Sequence, residues 1–430
     1  MPWLILPEGL ARWPWRACCP RGSVGLEEPR RPLTARQPHH VAKAKRVIFL
    51  FMTGGVSHVD SFDPKPKLIA GHGRSITVDN WQGKLGEFKR HLKRPDWTFR
   101  PGGQSGIEVS DLFPRVRSIV DDLCVIRSMA TDHTNHYEST LGMHCGSWTF
   151  ARPSIGAWCS YGLGTTNRNL PSFMVLGPRA PYAGAQTWGS DFLPGCHQGT
   201  WVVPGANPIP NLRPRTSSDR LQRLELELLG KANRRHLEQR TADRALEARI
   251  RSFETAFGMQ REAPEAMDLG RETASTLEMY GIKPGQTSGF GWQCLVARRL
   301  AERGVRFIEL IDVGSSANWD AHGDMATTAP WPERRRTDRC VGDRPEAAGM
   351  LDDTRVCLDD RVRPTPYHEK ADHRGREHTT GVQSWMAGGV SNGNGLRSSD
   401  PLGIEWPNRR STCTFFMQRS CPCSGWTTSV

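Results

Sequence analysis

His58, Asp60 and Asp63 fall within six residues of one another, directly after the break Thr53-Gly54-Gly55. Imidazole and carboxylate at that density suit a hard divalent ion or a site that handles a phosphate-like group. The same residue types recur far downstream in Asn318-Trp319-Asp320-Ala321-His322, where the Asp-x-His spacing lets both side chains face one ion from an irregular loop. A third cluster, Asp132-His133-Thr134-Asn135-His136-Tyr137-Glu138, leads into Met143-His144-Cys145. Taken one loop at a time, a capped turn with solvated polar side chains accounts for such residues as well as a site does.

What separates the alternatives is the scaffold in front of each cluster. Val47–Met52 is a short apolar run with β-branched and aromatic members, which reads as a strand buried on both faces. The two glycines after it let the backbone turn sharply and approach a ligand. Val305–Asp312 is a second such run, preceded by a helix expected over about 287–303 that uses Leu295, Val296 and Leu300. Helix, short Gly304 turn and buried strand form half of a crossover unit, so the sheet is expected to be parallel or mixed. In open α/β sheets, ligands bind outside the carboxyl ends of strands. Two loops with metal-ligand chemistry, each following a buried strand, are harder to dismiss than one. Further strands are expected at Leu123–Ile126 and Phe173–Leu176. A long amphipathic helix over about 217–257, with Leu221, Leu224, Leu228 and Leu229 at helical spacing, is expected to pack across one sheet face, with partner binding as the alternative.

From about Lys43 to Asp324, and again in Gly349–Thr354 and Thr365–Gly389, these motifs occur in the order of a bacterial domain-of-unknown-function family, number 1501. The sequence resembles that family, a group within the alkaline phosphatase and sulfatase superfamily. The resemblance implies an α/β fold with a central, mostly parallel sheet flanked by helices. It also implies divalent metal (zinc, calcium, magnesium or manganese) and hydrolysis of small-molecule or glycan sulfate or phosphate esters. Carried onto this sequence, His58, Asp60, Asp320 and His322 would hold metal. Gly375-Arg376-Glu377-His378 resembles the family's late Gly-Arg-x-His motif, which adds His378 as a ligand and Arg376 as a clamp for the anionic group. Asn135-His136 match the segment where the superfamily places its nucleophile at a helix start. This chain has neither Ser nor Cys there. Four readings follow: His136 attacks, a metal-bound water attacks, no ester chemistry occurs and the protein is a non-catalytic metal- or glycan-binding relative, or the histidines merely cap and pack the helix.

The likeness lapses over Trp331–Arg344, over Arg355–Pro364 and after Glu405. With one choice of codons for Leu358–Pro364, a one-base shift restores the family's Trp-Thr-Thr-Glu-Phe-Gly, and an offset reading of the tail yields a histidine-rich stretch. The expectation is therefore that the translation crosses reading-frame shifts. It carries a structural corollary: Asp359, Asp360 and three arginines (Arg355, Arg361 and Arg363) replace an apolar strand approach, so a central strand would be missing or badly packed, and Asp359 or Asp360 would have to stand in for a lost carboxylate ligand.

Composition narrows the rest. The net charge is +12 over 430 residues, but the first 46 residues, with nine Arg/Lys against three Glu, supply +6 of it. No basic stripe interleaved with aromatics appears elsewhere, so nucleic acid is discounted as a partner. The twelve cysteines lack metal-type pair spacing. No run reaches the length of a membrane span, and no export signal is recognisable at the N-terminus. Residues 1–42 read as a disordered arm, 43–390 as one domain, and 391–430 as an aberrant, poorly ordered tail. Compartment and oligomeric state are open.

Overall fold

The computed structural model describes residues 33–38, 44–81, 84–131, 133, 135–212, 218–240, 244–313, 319, 350–359, 363–364, 367–368, 378–379, 381–388, 394–396, 401 and 411–412. Strand β1 (Arg46–Met52) forms where the apolar run requires it. Short helices α1 (His58–Ser61) and α2 (Pro66–Ala70) follow. Two hairpins come next, β2 (Ser75–Trp81) with β3 (Lys84–Leu92) and β4 (Phe99–Gly102) with β5 (Ile107–Ser110). After α3 (Pro114–Ser118), β6 (Leu123–Ala130) leads into α4 (His136–Cys145), α5 (Ile155–Leu163), β7 (Phe173–Leu176) and β8 (Thr200–Val202). Helices α6 (Asp219–Glu238), α7 (Arg244–Met267), α8 (Ala274–Met279) and α9 (Phe290–Glu302) precede β9 (Phe307–Asp312) and β10 (Thr354–Asp359). The described part of the C-terminal stretch holds β11 (Arg363–Pro364), β12 (Tyr367–His368), β13 (His378–Thr379), β14 (Gly381–Ala387), β15 (Asn394–Leu396) and β16 (Ser411–Thr412).

Among the described residues the main sheet has nine strands in the order β15-β6-β14-β10-β1-β9-β7-β8, with β16 also on β6. Strands β10, β1, β9, β7 and β8 run parallel, and β14 is antiparallel to both its neighbours. The fold is thus mixed α/β on a mostly parallel sheet flanked by helices. Period-2 alternation decides which residues face which layer. Leu50, Met52, Met174, Leu176, Ile308, Leu310, Val356 and Leu358 point into one core with α7 and α9, where Ala263, Leu295, Val296 and Leu300 cover them. Phe49, Phe51, Phe173, Val175, Phe307, Ile311 and Cys357 point into the other with Met143 of α4 and Ile155 and Cys159 of α5. Both faces are covered, which is why these strands read as continuous apolar runs.

Two expectations need correction. Thr354–Asp359 is a well-formed strand, buried at every position but Arg355 and hydrogen-bonded between β1 and β14. Its interior Val356-Cys357-Leu358 supplies the apolar core contacts, while Asp359 falls at the strand's last position. There one carboxylate oxygen accepts a hydrogen bond from the Ser384 hydroxyl at 2.6 Å. Of the charges that argued against a strand, Arg355 is the one position of β10 that is not buried and Asp359 is its last residue; Asp360 and Arg361 lie outside the described residues. The single long helix is instead two, α6 and α7, and only α7 joins the core, through Met259, Ala263, Ala266 and Met267. Helix α6 folds back on α7, with Gln222 Nε2 donating to Gln260 Oε1 at 2.7 Å, and leaves Leu221, Leu224, Leu228 and Leu229 exposed.

Candidate functional site at the carboxyl rim of the sheet

Of the motifs with ligand chemistry, the one carrying His58 and Asp60 follows the carboxyl end of β1, and the Asn135-His136 segment follows that of β6. Strand β1 ends in Thr53-Gly54-Gly55, where φ of 103° and 93° at the two glycines make a turn that side-chain-bearing residues rarely adopt. The chain then enters α1, on which His58 and Asp60 are fully buried. Asp60 Oδ2 accepts from the Ser57 hydroxyl at 2.5 Å and Oδ1 from the Asp96 backbone N–H at 3.1 Å. The Asp60 carbonyl accepts from Ser110 at 2.6 Å, tying the turn to β5. Asp63 is buried as an ion pair with Lys65 at 3.0 Å. Asp60 therefore belongs to the local architecture of the turn whatever else it does.

Trp319, in the Asn-Trp-Asp-x-His motif, is held against the first loop. The Trp319 backbone N–H donates to the Thr53 carbonyl at 3.4 Å, and its indole Nε1 donates to Asp312 Oδ2 at 2.9 Å. The ring is 1% exposed and stacks on Phe113 with centroids 5.9 Å apart. Asp320 and His322 lie outside the described residues, but the residue preceding Asp320 is pinned against the glycine turn. Asp312 itself, the last residue of β9, was not singled out from the sequence. It opposes Met52 in the parallel register, as Asp359 opposes Phe51 on the other side of β1. Three adjacent strand ends thus carry buried carboxylates or the turn that leads to them.

Arg376 also lies outside the described residues, and His378 is described in its backbone alone. Strand β13 places it opposite Pro364 of β11. Three residues after His378 β14 begins, and its first residue Gly381 pairs with Ala130 at the carboxyl end of β6. Because β14 is antiparallel, its start lies on the same rim. From Ala130 the chain passes to Asn135, the N-cap of α4, whose Oδ1 accepts from the Tyr137 backbone N–H at 3.1 Å. His136 opens the helix and stacks on Tyr182 with centroids 4.7 Å apart. The capping role raised for this segment is thus what Asn135 performs.

The donors gathered at the rim are hard oxygens and imidazole, the types that fit a divalent cation. Among the described residues, no three His, Cys, Asp or Glu side chains come together to hold a metal ion. The side chains of Asp320, His322 and His378 lie outside those described.

Behind the rim the sheet holds two polar clusters that periodicity could not flag. His144 of α4 donates or accepts at Glu309 of β9, Nε2 to Oε1 at 2.9 Å, with both side chains fully buried. On α5, Ser160 bridges Ser172 at 2.6 Å and His197 Nδ1 at 2.9 Å. His197 is 1% exposed, and burial, helped by the nearby positive charge of Arg36, depresses its pKa to about 4. A folded-state value below the unfolded value of ~6.5 means the unfolded chain binds the extra proton. Stability is then full above pH 6.5, falls as pH drops toward 4, and loses about 3 kcal/mol in all. Urea unfolding of wild-type and His197→Gln protein between pH 7 and 4 checks this: the wild-type should show the steeper loss, and parallel curves would refute it.

Comparison with known proteins places the chain. Residues 44–417 match the family described as "Protein of unknown function (DUF1501)". No curated protein matches. Among solved structures, a mutant of TAB5 alkaline phosphatase with Mg bound in its M3 site is similar at 12% identity and a TM-score of 0.36, covering 90% of this chain and 99% of that one. Alkaline phosphatase from the Antarctic bacterium TAB5 gives 9% and 0.34 over the same shares. The PsFucS1 sulfatase from Pseudoalteromonas sp. gives 10% and 0.36, covering 90% of this chain and 69% of that one. The family match spans most of the sequence, and on that ground the chain belongs to the DUF1501 family.

Proposed function

We propose that this protein is a divalent-metal-dependent hydrolase of sulfate or phosphate esters, with its site on the carboxyl rim around β1. The observation that supports the reading is the Trp319–Thr53 contact at 3.4 Å, which sets the residue before Asp320 against the glycine turn that launches His58 and Asp60. His58, Asp60, Asp320, His322 and His378 would hold the metal, which supplies polarisation of the ester and a lowered pKa for a water or other nucleophile. His136 and Asn135, at the start of α4, would border the transferred group, where helix N–H groups favour an anion. Arg376 would clamp its oxygens. A non-catalytic metal- or glycan-binding protein on the same scaffold is the second reading, favoured by Asn135-His136 where a Ser, Thr or Cys nucleophile would be looked for.

Metal content by mass spectrometry, together with release of sulfate or phosphate from aryl esters, tests both. Asp60→Asn should lower bound metal at least tenfold and abolish any turnover. Metal bound at wild-type levels in that variant would remove Asp60 from the ligand set. Metal without turnover on either ester class would favour the second reading. A reading-frame shift near 358–364 is proposed alongside: DNA codons there that cannot encode Trp-Thr-Thr-Glu-Phe-Gly in another frame would exclude it.

A further inference from the structure

The start of α4 carries more aromatic surface than a capped helix requires. His133 stacks on Trp148 with centroids 5.3 Å apart and planes 25° apart, and His136 stacks on Tyr182 at 4.7 Å and 19°. One face of each large ring is taken by an imidazole, yet Trp148 is still 42% exposed and Tyr182 44%. Tyr137 stands exposed next to His136, its hydroxyl accepting from Gln186 Nε2 at 2.9 Å. Phe150 is exposed too, with the Arg152 guanidinium 4.8 Å from its centroid. Both ring-bearing segments are anchored on the same helix: Leu141 and Cys145 of α4 pack with Ala183, next to Tyr182, and with Ala151, between Phe150 and Arg152.

Burying apolar area would favour covering such rings, so their joint exposure next to polar groups indicates a ligand that is itself two-faced. A pyranose ring has an apolar C–H face for stacking and a rim of hydroxyls for side-chain amide, phenol and carboxylate partners, which Gln186, Tyr137 and Glu138 offer here. An arginine over an aromatic ring adds cationic complementarity to an acidic substituent. We propose that Trp148 and Tyr182 form a sugar-binding shelf at the start of α4, which takes a pyranose ring bearing an anionic ester. This deepens the hydrolase reading by naming the organic part of the substrate and rests on that reading only for the fate of the ester.

Saturation-transfer NMR on the full chain, with the 6-sulfates of glucose, galactose and N-acetylglucosamine and their unsulfated parents as probes, tests the shelf without requiring turnover. Transfer to ring C–H protons of at least one 6-sulfate is expected. Trp148→Ala and Tyr182→Ala should each cut it at least fivefold, Trp148→Phe should retain most of it, and Leu228→Ala on α6 should leave it unchanged, with melting curves showing that all four fold. Absence of transfer with every probe, or undiminished transfer in both alanine variants, overturns the proposal. So does a change of molecular mass in Trp148→Ala without any sugar signal, which would make the rings a contact between copies. Sugar transfer without ester cleavage would fail the hydrolase reading alone, and ester cleavage without sugar transfer would fail the shelf alone.

Discussion

His144→Ala is expected to destabilise the protein by about 4 kcal/mol, close to the largest cost a single side chain can carry. His144 Nδ1 lies 2.8 Å from the Thr140 carbonyl, which can only accept, so that nitrogen carries hydrogen and Nε2 is committed to Glu309. Glu309 sits mid-strand in β9, and its second oxygen has no hydrogen-bond partner among the described residues. The histidine ring is wedged against Phe51, centroids 4.4 Å apart, and Phe49. Removing the imidazole therefore strands a carboxyl group inside the sheet and opens a cavity beside two aromatic rings. Replacing both partners, His144→Leu with Glu309→Leu, removes the polar burden together and should recover most of the loss. A double-mutant cycle by urea unfolding measures the coupling. A single variant that loses less than 1 kcal/mol, or a double variant less stable than either single, would contradict this account of the pair.

That pair also shows where the sequence stopped being informative. Val47–Met52 and Phe173–Leu176 could be read as strands because both sheet faces are covered and every position is apolar. Glu309 sits inside an equally apolar run, and its partner lies 165 residues away, so no local pattern links them. Asp312 lies only seven residues from Trp319, but an irregular segment separates them, so no periodicity shows that the indole N–H turns back to the strand's last carboxylate. β10 failed to show for the opposite reason: Arg355 and Asp359 break the apolar pattern, while the three residues that make the core contacts are too few to signal alone. The hairpins over 75–110 have strands of mixed polarity and mixed burial, which are hard to read from local pattern. In α6 the leucine spacing was read correctly as a helix, but spacing does not say whether a face is covered, and four of those leucines face out. For the site, the rim position of His58, Asp60 and the start of α4 followed from strand-then-loop order. Which donors share one ion depends on side-chain directions that order does not encode.

The second large effect concerns the clasp between the two loops. Trp319→Ala removes a buried indole stacked on Phe113 and the N–H that satisfies Asp312, and should cost about 3–5 kcal/mol, the range for large-to-small aromatic truncation. Trp319→Phe keeps a ring against Phe113 but leaves Asp312 Oδ2 without that donor, so its cost should be about 1–3 kcal/mol. The two variants separate packing from positioning. If the clasp's work is only to fill the core, Trp319→Phe will bind metal like the wild type. If it aims the segment that begins at Asp320, Trp319→Phe will remain folded at 25 °C yet lose at least tenfold in metal affinity, because the loop keeps its wall and loses its polar anchor. Calorimetric titration with zinc, manganese, magnesium and calcium reads this directly, and unchanged affinity in folded Trp319→Phe would confine Trp319 to packing. The expectation of a loss rests on geometry: the indole N–H and the backbone N–H bind two different strand ends, β9 and the turn after β1, so the residue immediately before Asp320 is held at two points.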